Sequence, residues 1–156
     1  MLVEVHWDHP IPLLDGSREH LIYTCEDLDA LPDTPGVYVF ARKHGSVVDP
    51  LYIGQARNVR TRIIQQFNNV RLMNGVRAAP SGARILLVGK PKLRGRQNVE
   101  SVLDLVERAL IQHALAEGHE LLNYQGTHTR VDVVRSYGNR TSQKVAPLEM
   151  NVKAGR

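Results

Sequence analysis

The sequence predicts an α+β fold: a small antiparallel-rich three-stranded sheet flanked by helices, in the order β-β-α-β-α. Three observations predict it. Two short runs of strong β formers, Gly36–Arg42 and Leu51–Ile53, are separated by the turn signals His44-Gly45-Ser46 and Asp49-Pro50, which suggests an antiparallel hairpin with a long loop. Val59, Ile63 and Phe67 then recur every four residues, the spacing of one helical face. A third apolar run, Ala83–Val88, precedes the longest periodic segment of the chain, Val99 to Ala116. Helices packed on an antiparallel sheet are the layered solution that this order suits.

The elements follow in chain order. Residues 1–33 read as an N-terminal arm, with helical character at Glu26–Ala30 before Pro32 and Pro35 punctuate the chain. After the hairpin, Asn58 is a suitable N-cap for a helix reaching Phe67. Residues 68–82 carry Gly, Asn and Pro and read as connection. Ala83–Val88 is a mostly buried strand, and Gly89–Arg96 a basic loop. Asn98 caps the long helix, whose core stripe is Val99, Val102, Leu103, Val106 and Leu110 and which Gly118 ends. Val131–Val134 is a last short strand, and from Ser136 the chain is a polar, basic tail. The domain reading is an arm over 1–33, a catalytic unit over 34–125 and a basic C-terminal extension over 126–156.

The chain has 156 residues, enough for one ordinary domain with a core of its own. Its single cysteine, Cys25, has no partner in the chain, so the fold does not depend on disulfides and the cytoplasm is the expected compartment. The N-terminus lacks the basic start and apolar core of a secretory signal, and no apolar run approaches a membrane span. The seven histidines are scattered, with no zinc-binding spacing. The net charge of +4 hides a strong asymmetry. Residues 1–49 carry −6, residues 50–99 carry +10 without one acid, residues 100–124 carry −4 and the tail carries +4. Fifty residues without Asp or Glu form a surface suited to a polyanion.

Read singly, the polar residues of these elements say little; their combination says more. Gly36-Val37-Tyr38 and Tyr52-Ile53-Gly54 lie on the two arms of the hairpin, and paired strands bring two phenols to one face. Gly54 leaves the sheet bare, so that a substrate backbone has room to approach. Arg62 and Gln66 are one helical turn apart and share a face. Glu107 adds a carboxylate from the second helix, with Asp104 three residues before it as a rival.

In these residues the chain resembles the GIY-YIG nuclease superfamily. The matching segments are Pro35-Gly36-Val37-Tyr38, Leu51-Tyr52-Ile53-Gly54-Gln55-Ala56-Arg57-Asn58-Val59-Arg60-Thr61-Arg62, Val106-Glu107-Arg108-Ala109-Leu110-Ile111 and Leu122-Asn123. The resemblance spans about residues 32–124 and implies the following roles. Glu107 is the sole protein ligand of one divalent ion, Mg²⁺ or Mn²⁺. Arg62 holds the non-bridging oxygens of the scissile phosphate, a task to which its planar fork is suited. Tyr38 or Tyr52 orients or deprotonates the attacking water. Asn123 positions the site. Gly36, Gly54, Gln55 and Gln66 support it, with Gln55 where some relatives carry lysine and Gln66 where relatives often carry histidine or tyrosine.

The expected activity is therefore hydrolysis of DNA phosphodiester bonds. Arg57, Asn58, Arg60, Lys90, Lys92, Arg94 and Arg96 are expected to meet the nucleic-acid backbone, joined by Arg71 and Arg77. The alternative is a catalytically silent DNA-binding module using the same basic face. Retention of the carboxylate argues against it, because a carboxylate facing phosphate repels it unless a metal bridges them. DNA is the expected partner and a membrane is not. A homodimer or an accessory specificity protein would supply what one incision site in a small chain lacks.

Overall fold

The computed structural model describes residues 2–124, 131–147 and 149–153. The N-terminal segment supplies strands β1 (Glu4–Trp7) and β2 (Ile11–Pro12), and a small ribbon of β3 (Leu14–Asp15) paired with β4 (Tyr23–Thr24). The hairpin follows as β5 (Gly36–His44) and β6 (Val47–Ala56), then helices α1 (Val59–Phe67) and α2 (Val70–Ala78), strand β7 (Ala83–Lys92) and helix α3 (Val99–Ala116). A short helix α4 (Arg140–Gln143) lies between β8 (Val131–Arg135) and β9 (Glu149–Lys153), which pair with each other.

The fold class is the α+β arrangement read from the sequence, but the sheet is wider than three strands. Its order is β1-β7-β5-β6, with β2 also pairing with β7, and every pairing is antiparallel. The expected arm is thus part of the sheet. Glu4–Trp7 pairs with Gly89–Lys92, so the first half of the expected basic loop is strand. The long hairpin loop is also corrected. Pairing runs to His44 opposite Val47, leaving only Gly45 and Ser46 in the turn, with Gly45 at φ 61. Asp49-Pro50 lies inside β6, beside a bulge that leaves Leu51 unpaired. A proline fits there because β6 is an edge strand and its missing N–H interrupts no ladder.

The expected connection over 68–82 contains a full helix. Asn69 caps α2 by accepting from the Leu72 N–H at 3.1 Å, and Leu72, Met73 and Val76 are buried. Gly75 obscured this pattern. A Cβ at Gly75 would lie 2.9 Å from Leu122, so the glycine permits close packing of the segment after α3. The segment after Ser136, read as tail, likewise contains α4 and β9.

Strand alternation divides the core into two faces. Tyr38, Phe40, Leu86 and Val88 pack with Val59, Ile63 and Phe67 of α1 and Leu72, Met73 and Val76 of α2. Val37, Val39, Ala41, Ile53 and Ile85 face the other way, toward Val102, Leu103, Val106, Ile111 and Ala114 of α3. Burying each such Phe, Leu, Ile or Val contributes about 1.5–3 kcal/mol. Both faces are needed to hold helices on either side of the same edge strand.

Candidate active site

The register of β5 and β6 sets Tyr38 opposite Gly54 and Phe40 opposite Tyr52. Tyr38 and Tyr52 are therefore diagonal neighbours on the α1 face, with rings stacked at 23° and centroids 6.1 Å apart. Gly54 makes this arrangement fit. A Cβ there would lie 2.6 Å from Cζ and the hydroxyl of Tyr38. The space above Gly54 is filled by a protein ring, which corrects the expectation that it receives a substrate backbone. Gly36 has a packing reason too, since its Cβ would lie 2.8 Å from the Gly89 carbonyl and from Val59.

Gln66, on the inner side of α1, is only 7% exposed and anchors both phenols. Its Nε2 donates to the Tyr38 hydroxyl at 2.8 Å and to the Tyr52 hydroxyl at 3.4 Å. Its Oε1 accepts from Asn69 Nδ2 at 3.3 Å. Burial pushes the Tyr38 phenol far above its ordinary value of 10.0, although the Gln66 N–H and the Arg62 charge pull the other way. The neighbouring Tyr52 phenol adds to the rise. Tyr38 is thus held protonated, as a donor. Tyr52 is only half-buried and lines a cleft of about 160 Å³ with Asn69 and Arg71.

On the opposite face of β6, Gln55 reaches α3. Its Nε2 donates to Asp104 Oδ1, three residues before Glu107 on the same helix. Burial raises the Glu107 carboxyl above its ordinary value. Asp104 raises it further, while Gln55 and the Arg62 charge lower it. Arg62 is exposed on α1, and its charge acts on both Tyr38 and Glu107. It is thus a charge felt by groups on both faces of β6. Asn123 donates from Nδ2 to the Ile53 carbonyl at 2.9 Å, tying the segment after α3 to β6 between Tyr52 and Gly54.

Among the described residues no group of three or more His, Cys, Asp and Glu side chains gathers as a metal cluster. Glu107 and Asp104 offer carboxylate oxygens, hard ligands that suit Mg²⁺ or Mn²⁺ better than zinc, while Gln55 presents its N–H to Asp104. A carboxylate disfavoured by burial and by a like-charged neighbour is one that a bound cation would relieve. The chemistry of these two carboxylates is that of a hard-cation ligand rather than of a zinc site.

The basic residues divide by occupation. Arg60 is corrected from phosphate contact to structural clamp: Nε donates to the Leu31 carbonyl at 3.0 Å and Nη2 to the Asp29 carbonyl at 2.6 Å. Asn58 is likewise occupied, accepting from the Thr61 N–H at 3.0 Å as N-cap and donating to the Asp33 carbonyl at 3.4 Å. Arg84 donates to the carbonyls of Val76, Arg77, Ala79, Pro80 and Gly82, closing the end of α2. Arg57 pairs with Glu100, Lys90 with Asp8 and Arg94 with Glu4. Such exposed pairs are worth about 0–1 kcal/mol and yield readily to a phosphate. Arg71, Lys92 and Arg96 are exposed at the surface. The sequence reading missed Asn69. Its signal was a cap residue three positions before Leu72, at the head of the Leu72, Met73 and Val76 stripe.

No family model matches the chain, and no solved structure matches it. It is similar over short stretches to UvrABC system protein C from several bacteria. With that of Deinococcus radiodurans it is 55% identical over 42 residues, 27% of this chain and 6% of the relative. With that of Salinibacter ruber it is 41% identical over 63 residues, 40% of this chain and 9% of the relative. With that of Chlorobaculum tepidum it is 46% identical over 44 residues, 28% of this chain and 6% of the relative. The chain thus spans less than a tenth of the length of these relatives, and its similarity to a protein of the UvrABC system is partial.

Proposed function

We propose that this chain is a metal-dependent endonuclease of the GIY-YIG type that hydrolyses DNA phosphodiester bonds. The observation that carries the reading is the phenol pair bound by buried Gln66 on one face of β6 and the Gln55–Asp104 contact on the other, on the helix that carries Glu107, with the Arg62 charge felt on both. The partial similarity to UvrABC system protein C supports a nuclease-related role and DNA as the partner. A binding module has no use for a desolvated carboxylate beside an exposed arginine.

The roles follow from the environments. Arg62 grips the non-bridging oxygens of the phosphate and stabilises the charge that grows on them. Tyr38, buried and protonated, is a donor and not a base. Tyr52 faces the cleft and, in its phenolate form, takes the proton of the attacking water and becomes the neutral phenol. The water oxygen forms the new P–O bond, and the opposite P–O bond breaks with its electron pair going to the leaving sugar oxygen. Glu107 would hold the divalent ion, which when bound supplies charge neutralisation at the phosphate. Asn123 and Gln55 keep the α3 side aligned with β6. Arg57, Lys90, Lys92, Arg94 and Arg96 contact neighbouring phosphates, and a second subunit or an accessory protein provides the second incision where both strands are cut.

The test is cleavage of supercoiled plasmid with Mg²⁺ or Mn²⁺, with EDTA, and with Glu107→Ala. Nicking that is lost with EDTA and in the variant is the expected result. Equal gel shifts by two proteins that never cut would replace this reading with the silent binding module.

A further inference from the structure

The hydrogen bonds beneath the two phenols have a direction, and it begins at a backbone amide. The Leu72 N–H can only donate, so Asn69 presents Oδ1 to it, at 3.1 Å. The other arm of the same side chain, Nδ2, then faces Gln66 Oε1 at 3.3 Å. Gln66 is buried and has no solvent with which to reverse its amide. Its Nε2 is left for the two phenol oxygens, at 2.8 Å from Tyr38 and 3.4 Å from Tyr52. Tyr38 is buried at 1% exposure, while Tyr52 is half-buried. The Tyr52 oxygen therefore receives the Gln66 amide, and the cleft shared with Asn69 and Arg71 is what remains open to it.

We infer that Gln66 and Asn69 are positioning residues for cleavage: the N-cap of α2 fixes the sense of a donor chain that ends on the Tyr52 oxygen and singles out Tyr52 as the phenol that handles the proton of water. The inference rests on the endonuclease reading and adds to it the group that chooses between two stacked tyrosines. It also explains how a glutamine, which cannot titrate, serves here: the position needs a donor of fixed sense, and the cap three residues further on provides the sense.

The decisive variant is Asn69→Asp. A carboxylate still accepts from the Leu72 N–H, so the helix cap is kept. It offers Gln66 only acceptors, so the glutamine amide must turn and present Oε1 to the phenols. The expected result is an unchanged or raised melting temperature, an unchanged KM and a kcat lowered at least about tenfold. Gln66→His, which can place a ring N–H against the phenols, should retain more of kcat than Gln66→Leu. A second readout does not use activity. In wild type, the Gln66 side-chain amide protons should show nuclear Overhauser contacts to the rings of Tyr38 and Tyr52, and these should vanish in Asn69→Asp. An unchanged kcat in Asn69→Asp, or amide contacts to Asn69 in place of the rings in wild type, overturns the inference. A wild type that never cuts DNA but shows the ring contacts overturns the endonuclease reading instead, and with it any catalytic use of a correctly described hydrogen-bond chain.

Discussion

Gly54→Ala is a one-carbon change whose consequence is calculable. The new Cβ would sit 2.6 Å from Cζ and the hydroxyl of Tyr38, about 0.8 Å inside ordinary contact at 3.4 Å. Tyr38 is 1% exposed and packed against Phe40 with centroids 5.9 Å apart, so the ring has no free space to enter. Overpacking of this kind costs about 1–3 kcal/mol. A ring displaced by that much also stretches the 2.8 Å bond from Gln66, and a lost buried hydrogen bond adds about 0.5–1.5 kcal/mol. The expected destabilisation is about 2–4 kcal/mol, read as a shift of the urea midpoint at constant slope. A double-mutant cycle with Tyr38→Leu isolates the cause. Removing the ring removes the clash, so the combined cost should fall short of the sum by more than 1 kcal/mol, by the order of magnitude of couplings between touching residues. A cost below about 0.5 kcal/mol for Gly54→Ala, or simple additivity in the cycle, would refute the claim that Gly54 exists to seat Tyr38.

Three further outcomes are expected. The folded state raises the Glu107 carboxyl, so ionising Glu107 destabilises the metal-free protein as pH climbs past its ordinary value of 4.5; Glu107→Gln should melt higher than wild type at neutral pH, and the gap should close on acidification below that value. A variant that melts lower than wild type at both pH values would contradict this. Arg60→Met should lower stability by about 1–3 kcal/mol, through the carbonyls it abandons, while leaving the salt dependence of DNA binding unchanged; Arg96→Ala should do the reverse and lower the salt slope by about one, and identical behaviour of the two would dissolve the division between clamp and contact. Arg62→Lys should fold and bind DNA but lose about two to three orders of magnitude in kcat, since a point charge does not replace a planar fork; a loss under threefold in single-turnover cleavage would remove Arg62 from the phosphate.

Much of the fold was legible because its signals are local. The cap at Asn98 and the stripe through Val102, Leu103 and Val106 sufficed for α3. Asn58 with Val59, Ile63 and Phe67 sufficed for α1. What was not legible depends on partners distant in sequence. Glu4–Trp7 becomes strand only because Gly89–Lys92 lies beside it, and Gly89 is bare to admit Val5 and Trp7. Gly75 makes α2 look like connection until Leu122 is seen against it. The site divides the same way. The residue types at Tyr38, Tyr52, Arg62 and Glu107 could be read from spacing, but their occupations could not. That Arg60 clamps carbonyls while Arg62, two positions on, stays at the surface is decided by the segment at 29–31. That Gly54 seats a ring is decided by the register of β5.

The bulge in β6 has a consequence for how the chain tolerates change. Leu51 and Tyr52 are adjacent in sequence, yet both pack on the α1 face, because the bulge resets the odd–even count of the strand. From Tyr52 onward the new count sends Tyr52 to the phenol pair and Gln55 to the carboxylates. The turn at Gly45-Ser46 lies on the other side of that reset. Loop length there can drift without altering which face any later residue meets. One residue added or lost between Tyr52 and Gln55 would put both on the same face and turn one of them to the wrong helix. The bulge acts as a phase boundary, with freedom to vary upstream of it and none downstream.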